Sequence, residues 1–138
     1  MKKPNTIIFV DAENISSYCV NSINHELSKI GKVFEKRYYA MQKDPPTNSW
    51  KSATKSGYKP ILMSGKREKN KIDNKIIKDA KKIVEINKSI DIFVLASRDG
   101  DYAELANYLR NHKKRVVVLA PDNISHKLKN ACSETRII

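Results

Sequence analysis

At 138 residues with 40% hydrophobic side chains, the chain is long enough for one buried core and too apolar for disorder. No apolar run approaches the ~20 residues of a membrane-spanning helix, and the start MKKPNT lacks the apolar centre of a signal peptide, so the expectation is a soluble, cytoplasmic, single-domain protein with no membrane partner. Lys and Arg number 27 against 15 acids, a net charge of +12 that attracts polyanions, nucleic acid foremost.

In chain order, TIIFV (residues 6–10) reads as a strand buried on both faces. Residues 14–28 carry apolar side chains near helical spacing and stop at Gly31, which predicts a helix. KVFEKRYYA (32–40) is rich in strand formers, Pro45 and Pro46 enforce a loop, and residues 50–56 suit a short helix. KPILM (59–63) is a third strand, and residues 64–69 form a mobile basic loop. Ile72, Ile76, Ala80, Ile83 and Val84 recur at helical spacing, so residues 70–87 are a helix with one core face. IDIFVLA (90–96) is another doubly buried strand, followed by a helix over 100–112, a strand over 115–120, a helix over 124–131 and a last strand beginning at 136–138. The two cysteines, Cys19 and Cys132, form no metal-binding spacing and are expected to be reduced and buried.

Strands alternating with helices make an α/β domain with a mainly parallel sheet covered on both faces. In such sheets ligands bind beyond the carboxyl ends of the strands. Asp11 directly follows the first strand, and SRDGDY places Ser97, Asp99 and Asp101 beyond the strand over 90–96. Asp73 stands at the start of the long helix and supplies a fourth carboxylate to the same edge. Asp79 lies six positions further on, a rotation of roughly 240°, so a regular helix cannot aim both acids at one point; Asp73 is the nearer candidate. Carboxylates forced together share a proton or bind a cation. An all-oxygen set, with Asn14 and Ser97 as neutral supports, suits Mg²⁺ or Mn²⁺ and metal-assisted phosphodiester cleavage. Each acid taken alone is also explained as a helix cap or turn residue; it is the set on one edge that points to function.

FVDAENIS, KNKIDNKIIKDA, VLASRDGDYAELANYL and KKRVVVLAP together resemble the NYN domain, including LabA-like proteins, a relative of the PIN-domain ribonucleases. The resemblance spans nearly the whole chain. It implies a PIN-like three-layer α/β/α sandwich and a divalent-metal-dependent nuclease, usually an endonuclease acting on RNA. By position it carries the metal-binding role to Asp11, Asp73, Asp99 and Asp101, with Asn14 and Ser97 in support; Asp79 also falls where relatives often carry an acid. Arg98 departs from the pattern, standing where Gly is common, as a contact for phosphate or a partner for an acid. Arg98, Lys66 and Lys69 are the candidate phosphate contacts, RNA the candidate partner, and a homodimer is compatible with the sequence.

Three other readings compete. A haloacid-dehalogenase-type phosphatase also uses an Asp after the first strand but needs a second Asp two positions on, where this chain has Glu13. A phospho-accepting receiver domain needs adjacent acids at that strand. A non-catalytic RNA-binding or regulatory module would bind nucleic acid without releasing product.

Overall fold

In the computed structural model, described here over residues 3–43 and 49–138, the core is one six-stranded sheet. Its strands are β1 (Asn5–Asp11), β2 (Lys32–Met41), β3 (Tyr58–Met63), β4 (Ile90–Ala96), β5 (Arg115–Ala120) and β6 (Glu134–Ile137). They run in the order β3-β2-β1-β4-β5-β6, and every pairing is parallel. Ile7, Ile8, Phe9 and Val10 of β1, and the central residues of β4 and β5, are wholly buried, because helices cover both faces.

The helices are α1 (Val20–Ile30), α2 (Lys71–Ile86), α3 (Ala103–Asn111) and α4 (His126–Ala131). Right-handed crossovers put α1 on one face and α2, α3 and α4 on the other. The chain winds outward through β2 and β3, then returns through α2 to the far side of β1. Strand order therefore reverses between β1 and β4, and the loops leaving those two strands open a crevice at their carboxyl ends.

Local chemistry explains where elements begin. The segment after β1 is not helical from residue 14, as its apolar spacing suggests. The N–H groups of Asn14 and Ile15 turn back onto the Asp11 carbonyl, and Ser16, in extended conformation, caps a 3₁₀ turn over Ser17–Cys19 by accepting the Tyr18 N–H. The α-helix starts only at Val20. Likewise α3 starts at Ala103, after a 3₁₀ turn (Gly100–Tyr102) that Asp99 caps. α4 starts at His126 rather than residue 124, and β6 already starts at Glu134. Gly31 tolerates no side chain, since a Cβ there would meet the Pro4 carbonyl oxygen at 2.5 Å. A third 3₁₀ segment (Lys51–Ser56) sits on the α1 face, and Gly57, at φ 92°, turns the chain into β3. Pro45 and Pro46 lie outside the described residues.

The 3₁₀ segment is fixed by aromatic packing. Trp50 stacks on Tyr38 at 5.7 Å and meets Tyr58 edge-on at 5.8 Å, while its indole N–H donates to the Ile15 carbonyl. Among the described residues no helix is long and apolar enough to cross a membrane.

Candidate metal centre

The crevice between β1 and β4 holds a hollow of ≈ 230 Å³, lined among others by Asp11, Asp73 and Asp99. Each acid arrives on a different element. Asp11 is the last residue of β1, Asp73 lies in the first turn of α2, and Asp99 and Asp101 belong to the loop and 3₁₀ turn after β4. Carboxylate oxygens of Asp73, Asp99 and Asp101 lie within 4.8 Å of one another. Asp11 joins them through the buried Tyr102, whose hydroxyl is 3.1 Å from Asp11 Oδ2 and 3.2 Å from Asp73 Oδ1.

A phenol has one proton to give, so it satisfies one of these carboxylates at a time. The other carries its charge in a buried place or takes up a proton. Burial, followed by the charges of Asp11 and Asp99, pushes the Asp73 carboxyl up to about 7. Burial also raises Asp11, although the Tyr102 hydroxyl and the backbone N–H groups of Glu13 and Asn14 oppose that rise. The same burial and the two carboxylates keep Tyr102 protonated, and therefore a donor.

Several surrounding groups orient the acids. Asp11 Oδ1 accepts the Glu13 N–H at 3.2 Å, and Asp99 Oδ1 accepts the Asp101 N–H at 2.9 Å. The buried Ser97 hydroxyl accepts the Asp99 N–H at 3.1 Å and so shapes the loop. Asn14 clamps the two exit loops together: its Oδ1 accepts the Arg98 N–H at 2.9 Å, and its carbonyl accepts from the Arg98 guanidinium at 2.6 Å.

Other candidates lie elsewhere. Asp79 is held by the Tyr39 hydroxyl at 2.8 Å, by Lys75 at 3.0 Å and by Arg37 at 3.6 Å, away from the crevice. Arg98 does not line the hollow; besides Asn14 it pairs with Asp122 at 2.8 Å. Lys66 and Lys69 are also absent from its lining, where Arg67 and Lys71 are the cations instead. Arg67 reaches Glu13 at 2.8 Å, and the Lys71 ammonium donates to the carbonyls of Ser64 and Lys66, stitching the loop together. Tyr102 ends the same SRDGDY stretch and by sequence suits core packing or the stacking of a base; its place between Asp11 and Asp73, and the Arg67–Glu13 pair, emerge only in the fold.

Gathered carboxylates with no nitrogen or sulfur donor suit a hard divalent cation. A parallel α/β/α sandwich with acids at its topological switch point places a candidate cation site where such sheets bind their ligands. The chain belongs to the NYN domain family, whose model matches residues 5–138. The fold is similar to the crystal structure of a protein of unknown function from Vibrio parahaemolyticus, with a TM-score of 0.81 and 21% identity, covering 99% of this chain and 93% of that one. No curated protein matches the sequence.

Proposed function

We propose that the protein is a divalent-metal-dependent ribonuclease, acting as an endonuclease on RNA phosphodiester bonds with Mg²⁺ or Mn²⁺, in the cytoplasm. The observation that carries this reading is the meeting of the Asp73, Asp99 and Asp101 carboxylates within 4.8 Å at the switch point, with Asp11 bridged to them by Tyr102. Asp11, Asp73, Asp99 and Asp101 would hold the ion. An ion there supplies positive charge to a phosphodiester and lowers the cost of generating hydroxide from water at neutral pH.

The protein's own groups do the rest. Tyr102 fixes the spacing of Asp11 and Asp73, and the Asp101 N–H fixes Asp99, so the set is oriented before any substrate arrives. Asp73 is the carboxyl that gives up a proton as the set becomes fully anionic. Arg67, at the mouth of the hollow, exchanges Glu13 for a substrate phosphate, which a guanidinium can grip with two parallel hydrogen bonds.

The test is incubation of single-stranded and structured RNA with the protein in Mg²⁺, Mn²⁺ or EDTA, beside Asp11→Asn and Asp99→Asn. Metal-dependent cleavage should fall by at least about 100-fold in each variant, with circular dichroism unchanged. A folded protein that binds RNA and releases no product would instead be a non-catalytic binding module.

A further inference from the structure

Beside the acid crevice, on the α1 face of the β1 exit loop, lies a second hollow of ≈ 340 Å³. It shares Glu13 and Asn14 with the crevice, and Ser16, Ser17 and Ser49 line its wall. An adjoining groove runs from Ser17 past Tyr18 to Lys55. We propose that this groove is a nucleobase subsite in which Tyr18 stacks a base of a single-stranded RNA whose backbone crosses the acid crevice. The proposal rests on the reading of that crevice as one that acts on RNA.

Tyr18 is the reason to look here. Its side chain is 97% exposed, whereas Trp50, Tyr38, Tyr39, Tyr58 and Tyr102 are buried. The other exposed aromatic, Phe34 near the start of β2, stands at the opposite end of the sheet. An exposed ring gains nothing for the fold, yet this one is held on a fixed base. The Ser16 hydroxyl accepts the Tyr18 N–H at 3.2 Å, the Ser16 carbonyl accepts the Cys19 N–H, and the Trp50 indole ties the neighbouring 3₁₀ segment to Ile15. A ring on an anchored turn loses little freedom when a base settles on it, and every base offers a π-face.

The surroundings suit the backbone of the same strand. Lys51 and Lys55 are exposed on the 3₁₀ segment that forms the far wall, within a molecule of net charge +12. Serine hydroxyls at positions 16, 17 and 49 can donate to or accept from base edges without demanding one base. A polyanion with flat apolar faces matches this combination of cations, hydroxyls and one presented ring.

The test is fluorescence anisotropy in EDTA, with labelled single-stranded oligoadenylate and the same strand carrying abasic positions, so that binding is read apart from turnover. The wild type should prefer the strand with bases. Tyr18→Ala should erase that preference with a roughly tenfold loss of affinity, while Tyr18→Phe and Tyr18→Trp should keep it. Equal binding by Tyr18→Ala, an equal loss on the abasic strand, or no binding by the wild type would each overturn the subsite. Self-association that Tyr18→Ala abolishes, with no preference for bases, would also overturn it, in favour of a second copy as occupant. Base-dependent binding through Tyr18 in EDTA, with no cleavage once Mg²⁺ or Mn²⁺ is supplied, would uphold the subsite and sink the nuclease.

Discussion

Asp73 holds the conflict at the centre of this site. It is buried beside Asp11 and Asp99 and shares the single Tyr102 proton with Asp11, so its carboxyl titrates near 7 rather than at the ordinary 3.8. The folded state thus binds a proton that the unfolded chain has already released, and without a cation stability declines as pH rises from about 4 to about 7. Asp73→Asn removes the titration. In EDTA its melting temperature relative to wild type should therefore show no gain at pH 4 and an increasing gain toward pH 7, flat above. Added Mg²⁺ should stabilise the wild type by mass action and the variant much less. An offset constant across pH would mean that Asp73 is not the proton carrier. Asp99 and Asp101 are more exposed than Asp73.

At the scale of elements, what could be read from the sequence followed the range of the interactions. Doubly buried parallel strands are continuous apolar runs, so β1, β4 and β5 stand out, and with them the acids at their tips. The one-sided period of α2 likewise located Asp73 and set it apart from Asp79. Residues 14–19 deceived because Ile15 and Tyr18 fit a helical stripe, whereas the hydrogen bonds that decide the backbone come from Asp11 and Ser16. β6 is a short edge strand without a buried run, so its start was hidden. Tyr102 bridges Asp11 and Asp73 across 91 and 29 residues, and Asn14 meets Arg98 across 84, contacts for which no local pattern codes.

The Asn14 clamp is nonetheless testable as a joint between elements. Asn14→Ala leaves the Arg98 N–H without its side-chain acceptor and loosens the joint between the exit loops, while the bond from the Arg98 guanidinium to the residue-14 carbonyl remains. A loss of about 1 kcal/mol is expected from the urea midpoint. Metal affinity should fall as well, because Asp11 and Asp99 then share a looser frame. An unchanged midpoint with unchanged metal binding would show that the two loops are held by the sheet alone.

The whole molecule sets an acidic centre in a basic body, +12 overall. The two signs serve different ranges: the net field draws a polyanion and holds it along the basic surface even without a divalent ion, and a cation in the crevice would then offset the repulsion between its carboxylates and the nearest phosphate. Affinity for single-stranded RNA should therefore fall linearly on a log–log plot against salt, by roughly 0.7 in slope for each phosphate neutralised. This separates charge from stacking in the proposed groove. Replacing both Lys51 and Lys55 with Ala should flatten the slope, by up to roughly 1.4 if each lysine meets one phosphate. Tyr18→Ala should lower the whole line and leave its slope alone, because a stacked ring releases no counterions. Measured in EDTA, so that Mg²⁺ neither competes for phosphate nor fills the crevice, a slope that stays the same in the lysine variant would place the RNA backbone on another face. The lysines along the outer side of α2, Lys78, Lys81 and Lys82, would then be the next positions to replace.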